Sequence, residues 1–343
     1  MDPVDPVALA RQLIDIDSTT GQEAAVAAAL ADYLRGRGYA VLEQPLRDGR
    51  SNVIAAVGEP LVVMSTHFDC VPPFFPSRVD GDVLYGRGAC DAKGILAAQV
   101  AAAERLRAAG ESRVGLVFVA GEERGSDGAM AANKIASKSR FLINGEPTDN
   151  RLATATRGVL RLRLIAAGRA AHTGYPELGE SAIEKLIDVL ISLRSAEWPA
   201  DAVLGRTHYT IGVVKGGVAP NVIPAHAEAE ILFRTVNDHA ALREVLARAV
   251  GGRLLVEEVL EVPPVKLQTV DGFETAVFAY TTDIPFLDNW GAPLLFGPGS
   301  VDVAHTDREH VKIAELNAAV TLYADLAGTL LRRASAIAPS ASD

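Results

Sequence analysis

Leu61-Val-Val-Met-Ser-Thr-His-Phe-Asp69 is the stretch on which the fold turns. Six apolar or small residues with β-branched members form a buried strand, and the strand ends on an imidazole and a carboxylate. The pattern recurs at 114–120, which runs into Gly121-Glu122-Glu123, and at 141–144, which runs into Gly145-Glu146-Pro147. Between them, Tyr85-Gly-Arg-Gly-Ala-Cys-Asp91-Ala-Lys-Gly94 sets an Asp before a helical segment at 92–109. Near-continuous apolar runs belong to strands covered on both faces, and their alternation with helices implies a largely parallel, doubly wound sheet. Open sheets of this kind bind ligands at the carboxyl ends of their strands, so His67, Asp91, Glu122, Glu123 and Glu146 are expected to converge.

Outward from that core, the N-terminal side carries two helices. Leu9, Leu13, Ile14 and Ile16 stripe the first, and Val26, Leu30, Tyr33 and Leu34 the second. Thr20-Gly-Gln-Glu23 fits a capping box for the second helix. Strands follow at 39–42 and 52–57. Past residue 155 the pattern changes. Leu160-Arg-Leu-Arg-Leu-Ile165 alternates strictly, a helix spans 181–194, strands occupy 209–214 and 225–235, a helix 238–250, and a strand 253–260. This order describes an α+β, ferredoxin-like sandwich with one wet sheet face. We expect it as an insertion, residues 155–265, within a discontinuous larger domain of 1–154 and 266–343. A closing helix is expected at 309–333 and a disordered tail at 334–343.

The chain has 343 residues, 49% of them hydrophobic, and a formal charge of −10. Its length favours two domains, and the acidic balance argues against nucleic acid or an anionic membrane as partner. No signal peptide and no membrane-spanning run is legible, which reads as cytoplasmic. Two cysteines, Cys70 and Cys90, cannot build a disulfide framework and read as reduced thiols in the site wall.

Convergent His, Asp and Glu without thiolate point to hydrolytic metal chemistry rather than a structural zinc knot. Asp69 follows His67 by two residues and can reach the other ring nitrogen. Taken singly, Asp91 could be a helix N-cap and Glu122-Glu123 a solvated pair; adjacent residues at a strand exit point to different sides, so one could ligate while the other handles a proton. A Gly-rich loop, Phe296-Gly-Pro-Gly-Ser-Val-Asp-Val-Ala-His305-Thr306, presents one further imidazole.

Together these blocks, with Arg169-Ala-Ala-His-Thr173 and Gly216-Gly-Val-Ala-Pro-Asn-Val-Ile-Pro224, resemble the M20 family of dinuclear metallohydrolases over nearly the whole chain. They are similar to its acetylornithine deacetylase and succinyl-diaminopimelate desuccinylase branch. The resemblance implies a zinc-peptidase-like catalytic domain with an inserted lid that dimerises. It implies two zinc ions, with cobalt as a substitute: His67 and Glu146 on one, Glu123 and His305 on the other, and Asp91 bridging. Glu122 would be the general base, and the Asp91–Ala92 peptide would be cis. His172 would act in the partner subunit's site, and Asn221 and Arg234 would bind a substrate carboxylate. The expected reaction is deacylation of an N-acyl amino acid, N-acetylornithine or N-acetyl-lysine, in amino-acid biosynthesis. Desuccinylation of succinyl-diaminopimelate, a dipeptidase and an aminoacylase are the alternatives, and a non-catalytic metal-binding relative is a weaker one.

Overall fold

The computed structural model describes residues 2–336. The chain divides into two units. One comprises residues 1–154, 267–276 and 282–343, and the other 155–266 and 277–281.

The first unit is built on a six-stranded sheet in the order Ala40–Pro45, Ser51–Ala56, Val114–Val119, Val62–His67, Phe141–Asn144, Ala292–Leu295. Val62–His67 pairs in parallel with Val114–Val119 on one side and Phe141–Asn144 on the other. The Ala292–Leu295 strand continues the parallel set, whereas Ser51–Ala56 joins antiparallel, which makes the sheet mixed. Both faces are covered, and alternate residues show it. Val62, Met64, Leu116 and Phe118 pack with residues of helices Pro6–Ile14, Ala24–Gly36, Lys93–Ala108 and Ile313–Ala336. Val63, Val117, Val119 and Leu142 face the other way, onto Ala129, Ala132, Leu287 and Trp290. This two-sided burial is why the strands carry no alternation in sequence. Successive strands are added on opposite sides of Val62–His67, so the strand order reverses there and opens a crevice at the carboxyl ends.

The second unit has a four-stranded antiparallel sheet, ordered His208–Gly216, His226–Thr235, Gly158–Ala167, Leu255–Val262. Leu160, Leu162, Leu164 and Ala166 point to helices Ala182–Arg194 and His239–Val250, and Ala227, Ala229, Ile231 and Phe233 do the same from the neighbouring strand. The intervening Arg161 and Arg163 stay on the opposite face, where they pair with Glu230 and Glu257. This is the expected ferredoxin-like arrangement.

Three local expectations fail. The Thr20–Glu23 capping box does not form: the helix starts at Ala24, and the Thr20 hydroxyl donates to Asp69 Oδ2 at 2.9 Å. Its closing helix begins at Ile313 and not at 309, because His310–Lys312 is a strand paired with Val83–Tyr85. That helix runs to Ala336, so residues 334–336 are helical, and the rest of the expected tail lies outside the described residues.

Candidate metal centre

Each site residue is delivered by a strand end or by a loop locked to one. His67 closes its strand and is buried. After Val114–Val119 the backbone turns at Gly121, with φ +82, into a short 3-10 turn at Glu122–Arg124. A Cβ at position 121 would stand 2.0 Å from Asp127 Oδ1, so only glycine fits this corner. Glu146 follows Phe141–Asn144, where Gly145 N–H donates to the Ser65 carbonyl at 2.7 Å. Its turn is tied to the Gly-rich loop by Gly297 N–H donating to Thr148 Oγ1 at 2.9 Å.

Asp91 lies at the centre. Its Oδ1 is 3.0 Å from His67 Nε2, and its Oδ2 is 3.2 Å from His305 Nε2. Glu146 Oε2 stands 3.9 Å from His67 Nε2, and Glu123 Oε1 3.0 Å from His305 Nε2. The result is two triads, His67/Asp91/Glu146 and Asp91/Glu123/His305, whose ligand atoms lie within 4.8 Å of one another and which share the Asp91 carboxylate. The Asp91–Ala92 peptide is cis, as the family resemblance implies.

The donor set fits a pair of divalent cations. All atoms are carboxylate oxygen or imidazole nitrogen, the hard and borderline ligands of catalytic sites. Glu146 Oε1 is buried and has no hydrogen-bond partner, an orphan that a cation would satisfy. His67 Nδ1 faces the Asp69 carbonyl at 3.1 Å, which can only accept, so this nitrogen carries a proton and Nε2 is the one turned to a ligand.

The electrostatics follow from crowding acids around two imidazoles. Burial alone would lower the pKa of His67, but hydrogen bonds to Asp69 and Asp91 and the charge of Glu146 hold it well above its ordinary value. His305 is pushed up to about 10, chiefly by Asp91 and then by Glu123. Burial raises Glu122 well above the usual carboxylate range, against the pull of His67, and Glu146, Asp283 and Glu123 push it further. Its neighbour Glu123 is a triad member, whereas Glu122 belongs to neither triad. A carboxyl held close to the triads but outside them can carry a proton.

Asp69 does more than its spacing from His67 suggests. Oδ1 is 3.4 Å from His67 Nδ1 and accepts the Glu122 N–H at 3.1 Å, while Oδ2 accepts the Glu123 N–H at 3.2 Å. One buried carboxylate thus touches the imidazole and fixes the turn that aims both glutamates. Burial alone would raise its pKa, but these hydrogen bonds outweigh it and lower it.

Two residues escaped the sequence reading. Glu309 is fully buried and accepts from the backbone N–H groups of Gly88, Cys90 and Asp91 at 2.9, 3.1 and 3.0 Å, and from Arg87 Nη1 at 2.6 Å. It holds the loop that carries Asp91. Nothing in Arg308-Glu309-His310 distinguishes it from a solvated charge run. Asp283 is buried near His67 and Asp69, its pKa raised to about 6 chiefly by burial, and its Oδ1 has no hydrogen-bond partner. His172, Asn221 and Arg234 belong to the second unit. The Ala171–His172 strand pairs with Val222–Ile223, and exposed His172 accepts the Gly174 N–H on Nδ1 at 3.0 Å. Asn221 follows the Gly216-Gly217 loop, and its carbonyl accepts the Thr173 N–H at 3.3 Å. Both cysteines are free and buried, and burial pushes the Cys70 thiol up to about 12.

A two-faced α/β sheet with paired His/Asp/Glu triads at its switch point is a site that could hold a pair of divalent cations. Residues 63–329 match Peptidase family M20/M25/M40. A "Peptidase M20 domain-containing protein" of Schizosaccharomyces pombe is 36% identical over 90% of this chain and 81% of its own length. A protein of Aspergillus fumigatus named "Probable carboxypeptidase" is 37% identical over 95% of this chain and 86% of its own. The crystal structure of an aminopeptidase from Bacillus cereus superposes with a TM-score of 0.77 at 20% identity, covering 95% of this chain and 98% of that one, which is a likeness of fold. The chain belongs to the M20/M25/M40 peptidase family and is a hydrolase of amide bonds.

Proposed function

We propose that this protein is a dinuclear metal-dependent exopeptidase that cleaves the amide bond to a C-terminal residue bearing a free carboxylate. The observation that carries this reading is the sharing of Asp91 between two triads, with Glu122 beside them but in neither. The carboxypeptidase naming of a relative 37% identical supports the substrate class. Deacetylation of N-acetylornithine or N-acetyl-lysine, and the deacetylase/desuccinylase branch, draw no support from the similar proteins and yield to the peptidase alternative.

His67, Glu146, Asp91, Glu123 and His305 would hold the two ions, which we take to be zinc, with cobalt able to substitute. The ions would polarise the scissile carbonyl and make water nucleophilic near neutral pH. Glu122 takes the proton from the attacking water and passes it to the departing amine. Its place beside the triads but in neither leaves its oxygens free for that exchange. Arg234 and Asn221 bind the substrate's terminal carboxylate, for which the planar guanidinium fork is well shaped. The inserted unit acts as lid and dimerisation domain, and His172 stabilises the oxyanion in the partner's site. The absence, among the described residues, of any helix long and apolar enough to cross a membrane is compatible with a cytoplasmic setting.

The test is a substrate panel with metal-loaded protein: free and N-blocked dipeptides, their C-terminally amidated counterparts, N-acetylornithine, N-acetyl-lysine and N-succinyl-diaminopimelate. Hydrolysis of peptides with a free C-terminus, and its loss on amidation, is expected. Turnover confined to the N-acetyl or N-succinyl substrates would overturn the peptidase reading, and inactivity on the whole panel would overturn catalysis.

A further inference from the structure

Glu122 and Glu123 ride on one loop, 121–126, that bends against the grain of its residues. Gly121, Gly125 and Ser126 have φ of +82, +122 and +62. Positive φ is uncommon for a residue with a side chain, so Ser126 needs its surroundings to keep it there. Within the loop, Ser126 N–H donates to the Gly121 carbonyl at 2.8 Å, but Gly125 N–H meets the Glu122 carbonyl at 3.2 Å and Arg124 N–H the Gly121 carbonyl at 3.4 Å. Asp69 holds the middle, through the N–H groups of Glu122 and Glu123. The two ends are held from elsewhere.

Ala120 and Gly128 form the neck of the loop, and Gly128 N–H donates to the Ala120 carbonyl at 3.1 Å. The Asn52 side chain completes the closure. Its Oδ1 accepts the Ala120 N–H at 3.1 Å, and its Nδ2 donates to the Gly128 carbonyl at 2.8 Å and to Gln44 Oε1 at 2.9 Å. Asn52 is fully buried, and its one carboxamide meets an N–H and a C=O as a strand backbone would. It takes over where the backbone ladder between Ser51–Ala56 and Val114–Val119 stops, at the pair Val53 and Phe118. A Cβ at position 128 would stand 2.1 Å from the Ala120 carbonyl oxygen and 2.6 Å from Asn52 Oδ1, so this closure needs glycine there. Two residues before Asn52, Arg50 adds a second clasp, donating to Asp127 Oδ1 at 3.2 Å and to Asp127 Oδ2 at 2.5 Å.

We propose that Asn52, backed by Arg50, is a positioning residue that sets the loop so that Glu122 meets the attacking water while Glu123 meets its metal. This rests on the reading of Glu122 as general base. The task requires an amide. A carboxylate at position 52 has no donor for the Gly128 carbonyl, and an apolar side chain strands both neck groups away from water. Asn52 belongs to neither triad and acts only through the loop.

N52D carries the test, and D127A, at a half-exposed residue of the second clasp, is the milder variant that stands in should N52D not fold. With zinc-loaded protein and an N-blocked dipeptide, kcat is expected to fall about 10- to 100-fold, as for a misplaced catalytic group, while KM moves little. In the double mutant N52D/E122Q the two losses should not add, because both pass through Glu122. Losses that multiply, or a folded N52D with unchanged kcat, overturn the proposal. Stepwise zinc titration of the metal-free proteins gives a readout without turnover. The loop carries Glu123, a member of one triad only, so N52D should weaken one binding step by about 10-fold or more and leave the other. Equal weakening of both steps marks a general loosening, and no weakening of either leaves the loop unmoved; each overturns the clamp. E122Q with undiminished kcat defeats the base reading alone, and the zinc titration then decides on the clamp.

Discussion

Asp69 contacts the His67 imidazole, the Glu122–Glu123 turn and the Thr20 hydroxyl through one carboxylate. In D69N the side chain keeps one acceptor but faces two backbone N–H groups, the Thr20 hydroxyl and an imidazole N–H with half the capacity. Loss of such supporting bonds around ligands weakens metal binding by about 10- to 100-fold, and metal-buffered competition titration would measure it. E122Q separates proton transfer from ligation. Both ions should remain bound while kcat falls by about 10²- to 10⁴-fold, and inductively coupled plasma analysis beside single-turnover assays reads both quantities. Metal loss in E122Q would mean that Glu122 is a ligand and that its role and that of Glu123 are exchanged.

At the scale of elements, the loop from Tyr85 to Gly94 depends on a residue more than 200 positions away in the chain. The buried Arg87–Glu309 pair, with three backbone N–H groups on the same carboxylate, fixes the peptide segment that presents Asp91. E309A leaves Arg87 uncompensated in the interior and should destabilise the protein by about 3–5 kcal/mol in denaturant unfolding. E309Q keeps the shape and some of the acceptors and should cost less. This element also shows what could be read in advance. His67, Asp91, Glu122, Glu123, Glu146 and His305 were legible because each sits at a strand exit or in a glycine-rich block, where local sequence and family resemblance coincide. Glu309 and the Thr20–Asp69 bond were not, since each acts through a partner distant in sequence. The same limit explains the failed capping box: Thr20 meets the local pattern, but the buried acceptor on Asp69 takes its hydroxyl.

For the whole molecule, metal and protons compete for the same atoms. His67 and His305 hold protons more tightly than free imidazole because carboxylates face them. Ligation needs their neutral forms, so metal uptake must expel protons. With both pKa values raised, apparent metal affinity should climb as pH rises through and above neutrality and fall in acid, with proton release measurable in weakly buffered titrations. A pH-independent affinity would contradict protonated imidazoles in the metal-free protein. The proposed dimer can be tested by mixing variants: H172A and E122Q subunits, each expected to be nearly inactive alone, should regain about one working site per heterodimer if the chain dimerises and His172 serves its partner. No recovery would confine His172 to its own chain or remove it from the reaction.

The chain passes between its two units at 154/155, 266/267, 276/277 and 281/282. A simple insertion needs only two such passages and could be exchanged between relatives as a single cassette. Here the short return 277–281 belongs to the inserted unit although it is separated from it in sequence by ten residues of the other unit, 267–276. A chimera that transplants 155–266 alone would carry an incomplete module. Recombination that aims to move substrate preference from one relative to another must therefore transfer two segments together.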